Sequence, residues 1–224
     1  MSCSGGLTLY INLLSAPARA LTLLPRGIRA PYEEKNISFF KGEHKSEAYL
    51  KIHPFGTVPA VTDGDLTILE SCTALRYIAS KYDTSGKWYP ADLASRVRVD
   101  EFLDWQHTKL RKHGVGYYFN LIFAPMINKC EPDMTLINSH KEELKKVDAD
   151  MVRHFIKGRN FIAGEHVTIA DLIAACELEQ PMCANVTYSQ PIMDYLDRVK
   201  SHIGPDYDQV HQKVRGFTKS MLNK

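Results

Sequence analysis

A small mixed α/β domain followed by an all-helical domain is the fold class that this 224-residue sequence predicts. Strand and helix signals alternate as far as Tyr82. A short polar stretch with Gly and Pro then intervenes, and beyond it apolar residues recur only at helical spacing. The expected organisation is an α/β domain over residues 1–82, a linker over 83–90 and a helical domain over 91–224.

In the first half, Leu7, Leu9, Ile11 and Leu13 alternate with Thr8, Tyr10 and Asn12, which predicts a strand. Pro17 stands where a helix can begin. Pro25 falls inside that helix and, having no N–H to donate, is expected to end or kink it. Residues 32–38 read as a second strand. After an irregular stretch, Val61–Leu69 reads as a hairpin turning at Asp63-Gly64. Ser71–Tyr82 reads as a helix with Ala74, Leu75, Ile78 and Ala79 apolar. In the second half, Val99, Phe102, Leu103 and Leu110 keep helical spacing, as do Leu144, Val147, Met151 and Phe155. Thr168-Ile169-Ala170-Asp171 predicts a capping box, with Val167 and Leu172 placed as a hydrophobic staple.

Composition excludes several function classes. The chain is 44% hydrophobic and 24% charged with a formal net charge of +2, so it can bury a core and carries no basic stripe for nucleic acid. The cluster Lys141-Glu142-Glu143 to Lys145-Lys146 mixes signs at helical spacing and reads as a solvated face. No apolar run spans a bilayer, and the first residues lack the pattern of a signal peptide. The five cysteines, Cys3, Cys72, Cys130, Cys176 and Cys183, form no Cys-x-x-Cys pair. With no His-x-x-x-His pair among nine histidines, neither a disulfide framework nor a metal site is expected, and the cytoplasm is the expected location.

Four local features bear on chemistry, each with two readings. Val58-Pro59 enters a strand. A trans proline marks a strand start, whereas a cis proline turns the chain and leaves the Val58 N–H and C=O free to pair with a peptide-like ligand. Glu70-Ser71 precedes a helix. Either Ser71 caps that helix, or Glu70 meets an ammonium while Ser71 and the helix start meet a carboxylate. Ser15 follows the first strand, either as an N-cap or as a hydroxyl donor to an anion such as a thiolate. Lys41-Gly42-Glu43-His44-Lys45 is either a solvated loop or a source of cations.

As a set, in this order, the four match one ligand. Ser15-Ala16-Pro17 with Arg19, Gly42-Glu43-His44, Val58-Pro59-Ala60 and Glu70-Ser71 resemble the serine-type theta/delta/epsilon group of cytosolic glutathione transferases. Trp88-Tyr89-Pro90 and Arg98–His107, followed by Leu110-Arg111, are most similar to the theta class. The resemblance implies a thioredoxin-like first domain, a homodimer, and conjugation of glutathione to small apolar electrophiles such as alkyl or aryl halides and epoxides. It implies Ser15 as the thiolate's hydrogen-bond donor. His44, Lys45, Thr57, Val58, Pro59, Glu70, Ser71 and Arg111 become the expected glutathione-binding residues, and the context favours a cis Pro59. The electrophile is expected between the domains against Tyr117, Tyr118 and Phe119, aromatics that also suit a core. Arg19 is expected to form a salt bridge within the fold. Alternatives are a non-catalytic ligand-binding protein of the same fold and a glutathione-dependent dehalogenase or peroxidase.

The chain departs from that pattern in several places. Thr57 stands where many theta relatives carry lysine, which leaves more of the glycine-carboxylate contact to His44. Gly56 stands where delta members carry histidine, and Ala16 where theta members often carry glutamine. The chain stops at Lys224 without the longer tail of mammalian theta enzymes, from which a more open electrophile pocket is expected.

Overall fold

A computed structural model describes residues 6–223; Cys3, within Met1–Gly5, and Lys224 lie outside the described residues. The first part is a four-stranded mixed sheet with the strand order β2-β1-β3-β4. Strand β1 (Leu7–Ile11) pairs parallel with β2 (Glu33–Asn36) and antiparallel with β3 (Ala60–Asp63), which turns into β4 (Leu66–Ile68). The hairpin turn contains Gly64 at φ 59°, the left-handed conformation that glycine adopts without strain. Helices α1 (Ala16–Ile28) and α3 (Ser71–Tyr82) pack against each other, and Leu7, Leu9, Leu21, Leu24, Val61, Leu75 and Ile78 close the core. The stretch between β2 and β3 also contains a 3-10 turn (Glu43–Lys45) and a one-turn helix, α2 (Glu47–Leu50).

Strand β1 is shorter than the alternation predicts. Asn12 leaves the ladder because its side chain bonds locally, donating to the Ile37 carbonyl at 2.7 Å and accepting the Leu14 N–H at 3.1 Å. The first helix likewise differs from expectation, since α1 runs through Pro25 and stops only at Arg29, in the left-handed region. A proline so near the end forfeits one bond, and α1 is held by packing against α3 and against two helices of the second half, Ile169–Met182 and Pro205–Leu222.

From Leu93 onward every regular element is helical: α4 (Leu93–Thr108), α5 (Leu110–Tyr118), α6 (Ala124–Asn128), α7 (Met134–Asp150), α8 (Ile169–Met182), α9 (Gln190–Ile203) and α10 (Pro205–Leu222). Phe119–Phe123 and Met151–Phe155 are π-helical turns continuing α5 and α7. The architecture is thus a thioredoxin-like α/β domain followed by a helical region. Helix α8 is buried almost end to end and forms the axis of the second half. The capping box is present at its start. Asp171 accepts the Thr168 N–H at 2.8 Å, the Ile162 N–H at 2.9 Å and the Tyr195 hydroxyl at 2.9 Å, and Val167 and Leu172 are both buried. The segment after α3 is tied down rather than loose. Trp88 donates its N–H to Asp83, accepts from Ile169, and packs so closely on Gly27 that a Cβ there would lie 2.8 Å from the indole. Among the described residues, no helix is long and apolar enough to cross a membrane. The four described cysteines are free.

One buried carboxylate makes the first domain sensitive to acid. Asp63, with its side chain 6% exposed, accepts from Lys81 Nζ at 2.6 Å, Tyr82 at 2.7 Å and Tyr77 at 2.9 Å. Burial alone would raise its pKa, but the three donors and the Lys81 charge outweigh it and hold the carboxyl below its ordinary value. A depressed carboxyl pKa stabilises the fold above the unfolded value of about 3.9, and that stabilisation disappears as pH falls through the folded value. Asp63→Asn should therefore lower the thermal unfolding midpoint at pH 7, and by less at a pH under the unfolded carboxyl value of about 3.9. An equal gap at both pH values would contradict this assignment.

Candidate functional site

The loop between β1 and α1 is fixed from beneath by Arg19, which is fully buried. Its guanidinium donates to the Leu13 carbonyl at 2.9 Å, the Cys176 carbonyl at 2.9 Å and Gln180 Oε1 at 2.7 Å. Gln180 Nε2 donates back to the Leu14 carbonyl at 3.3 Å. Neutral oxygens, not the expected salt bridge, hold this cation, because the groups facing it are two backbone carbonyls and an amide. Loop and α8 are clamped together, and Ser15 is the next residue out.

Ser15 occupies the N-cap position of α1, yet its hydroxyl makes no capping bond and has no partner among the described residues. Its backbone is held on both sides: its N–H bonds to Asn12 at 2.8 Å, and its carbonyl accepts from Arg19 at 3.1 Å. A free hydroxyl at a helix N-terminus suits hydrogen bonding to an anion.

Val58-Pro59 is cis. Neither the N–H nor the C=O of Val58 bonds to another described residue, and Val58 is half-buried. The preceding turn is rigid: Tyr49 donates its hydroxyl to the Thr57 carbonyl at 2.8 Å, and Gly56 donates its N–H to His53 at 2.8 Å. Gly56 has φ 59°, and a Cβ there would lie 2.8 Å from the His44 carbonyl and 3.0 Å from Lys45 Nζ. The departure at position 56 thus has a steric reason. Only glycine lets the Lys45 side chain lie over this turn, where its ammonium donates to the Phe55 carbonyl at 3.3 Å. Lys41 lies in the same loop and is exposed.

Glu70 is exposed at the N-cap of α3, and its carboxylate caps nothing. Ser71 opens the helix, so the unpaired N–H groups of the first turn lie beside both residues. Cys72, next in line, is no rival nucleophile: it is buried, and burial pushes its thiol up to about 11. Arg111 bonds Glu177 at 2.5 Å, and its positive field reaches Glu70 and Cys72.

His44 borders an apolar cavity of ≈ 350 Å³ between the two halves, lined also by Phe39, Phe40, Phe119, Phe123 and Met126. Burial and the Lys45 charge lower its pKa, and its buried Nδ1 has no partner. The structure separates the three predicted aromatics. Tyr117 and Tyr118 are buried core residues whose hydroxyls bond the Ala184 carbonyl at 2.8 Å and Thr218 at 2.6 Å. Phe119, 44% exposed, reaches the cavity because the π-helical turn begins there. The sequence reading missed Phe39, Phe40 and Phe123. A Phe-Phe pair beside the polar loop was the available signal, but the cavity forms only where chain segments distant in sequence meet.

Known proteins resemble the chain in sequence and in fold. The model of the family "Glutathione S-transferase, N-terminal domain" matches residues 5–80. Human glutathione S-transferase theta-1 is 33% identical over 213 residues, covering 93% of this chain and 89% of that protein. The chain belongs to the glutathione S-transferases. The solved structure of the human T1-1 enzyme, in its apo form, matches with a TM-score of 0.90 at 31% identity, covering 96% of this chain and 91% of the other. A human theta-class glutathione transferase in complex with the glutathione conjugate of 1-menaphthyl sulfate matches with a TM-score of 0.92 at 28% identity, covering 98% and 91%. Among the described residues of this family member, no group of three or more His, Cys, Asp or Glu is placed to hold a metal.

The Arg19 clamp is open to test. Arg19→Met leaves three buried acceptors without their donor and should cost roughly 3 kcal/mol or more of stability in denaturant titration. A loss under about 0.5 kcal/mol would show that the clamp does not hold the halves together.

Proposed function

We propose that this transferase conjugates reduced glutathione to small hydrophobic electrophiles, namely alkyl or aryl halides and epoxides, and that Ser15 stabilises the glutathione thiolate. The observation that carries the reading is the unpartnered Ser15 hydroxyl at the start of α1, on a loop held from both sides.

The free groups suit glutathione from end to end. Glu70 receives the ammonium of the γ-glutamyl end, while Ser71 and the first turn of α3 take its carboxylate. The unpaired Val58 N–H and C=O, set by the Pro59 turn, pair with the cysteinyl amide as an added strand would. His44, Lys45 and Thr57 serve the glycine carboxylate, and Arg111 adds positive potential behind Glu70. The human theta-class complex with a glutathione conjugate supports this assignment by homology.

A free thiol with pKa about 8.5 is only a few per cent thiolate at neutral pH. A hydroxyl donor together with a helix N-terminus favours the anion, and a decrease of ~2 units raises the thiolate fraction roughly 20-fold. The thiol proton passes to solvent, sulfur forms a bond to the electrophilic carbon, and that carbon's bond to halide or epoxide oxygen breaks with its electron pair leaving on the departing atom. The cavity beside His44, with Phe119 in its wall, holds the apolar part of the electrophile; Tyr118 packs from the core against Phe123 of that wall.

Ser15→Ala should leave glutathione binding by calorimetry largely intact. It should reduce the bound thiolate, read by ultraviolet absorbance, and turnover of an alkyl-halide, aryl-halide and epoxide panel by about 20-fold at pH 7. Unchanged turnover would remove Ser15 from the mechanism, and no glutathione binding at millimolar concentration would remove the ligand itself.

A homodimer is part of this reading. Phe55 is 72% exposed, and Leu93 and Val97, one helical turn apart on α4, are 73% and 51% exposed, large apolar side chains of the kind that a second copy would cover. Sedimentation at micromolar concentration should give twice the 25.4 kDa chain mass; Phe55→Ser should shift the species toward monomer, and a monomeric parent would refute the dimer.

A further inference from the structure

We propose that His53 is a positioning residue that makes the Thr57 hydroxyl a hydrogen-bond donor to the glycine carboxylate of glutathione. The inference rests on the glutathione reading above.

His53 is 2% exposed, and Nε2 lies 2.9 Å from Thr57 Oγ1. Its backbone is fixed on α2, donating to the Tyr49 carbonyl at 2.8 Å, and its ring packs between Tyr49 and Phe55. An apolar side chain would fill the same space. What the imidazole adds is one polar contact, to the residue immediately before the free Val58 edge.

The proton on the ring decides what Thr57 can do. Burial first, with the Lys45 charge, lowers the His53 pKa against the opposing field of Glu70, so the ring is neutral at pH 7 and carries a single N–H. Nδ1 is buried and no acceptor meets hydrogen-bond geometry with it; the residue's own carbonyl is near it but outside that geometry. A buried N–H without a partner costs more than a buried lone pair without one. The favoured tautomer therefore places the proton on Nε2, which donates to Thr57 Oγ1. The threonine keeps its own proton for a ligand, and Thr57 is exposed. The opposite tautomer would turn the Thr57 proton inward and present the ligand carboxylate with a lone pair.

The test compares variants by glutathione KM, kcat at saturation and calorimetric Kd on the intact protein. His53→Leu removes the donor and should raise the glutathione KM and Kd about fivefold, the effect of one ordinary hydrogen bond, with kcat within about twofold. His53→Gln, whose amide N–H can reach the same oxygen, should stay within about twofold of the parent. Thr57→Val, an exposed change that keeps the fold, should match His53→Leu, and the double variant should be no worse than either single one. An unchanged KM in Thr57→Val, multiplying effects in the double variant, or a His53→Gln as weak as His53→Leu would overturn the proposal. A parent protein that binds no glutathione would instead overturn the glutathione reading itself, so the two failures are distinguishable.

Discussion

The contact on which the rest of the molecule depends is the buried guanidinium of Arg19. A cation removed from water needs oxygens for its donors, and here Leu13, Cys176 and Gln180 accept from its two terminal nitrogens, while Nε has no partner among the described residues. Two of those oxygens belong to α8 and one to the loop after β1. A single side chain therefore ties the thioredoxin-like sheet to the axis of the helical domain, and the Gln180 bond to Leu14 doubles the tie. Helix α8 tolerates this polar end because Asp171 anchors its other end through the capping box and Tyr195.

A common pattern runs through the site. Ser15, Val58 and Glu70 carry polar groups without partners among the described residues, while their neighbours are tied down. Asn12 and Arg19 hold Ser15, Tyr49 and His53 hold Thr57 beside Val58, and α3 holds the backbone of Glu70 through Ala74. Free groups on a rigid frame lose little entropy when a ligand arrives, which is the physical meaning of preorganisation. Gly56 belongs to that frame, since its missing side chain is the space over which Lys45 lies.

Much of the fold was legible in local sequence. Helix α3 follows its apolar spacing from Ser71 to Tyr82, the hairpin turns at Gly64, and Thr168–Asp171 caps α8, because each depends on residues only a few positions apart. Where local rules failed, a distant partner had won. Packing on α8 and α10 carried α1 through Pro25, and the Ile37 carbonyl drew Asn12 out of β1. The three aromatics at the end of α5 and just beyond it were indistinguishable in sequence. Only the π-helical turn and the packing around Ala184 and Thr218 assign Phe119 to the cavity and the two tyrosines to the core.

The sequence by itself determined the division into an α/β and a helical part, the family resemblance, and the order in which Ser15, His44, Val58 and Glu70 follow one another, since these are properties of spacing and residue type. Only the tertiary structure decided which polar groups remain free. It left the Ser15 hydroxyl uncapped, gave Arg19 neutral partners and placed His53 against Thr57. Hydrogen bonding between residues far apart, such as Arg19 and Gln180, is a competition among all the donors and acceptors that folding brings together, and no local pattern records its outcome.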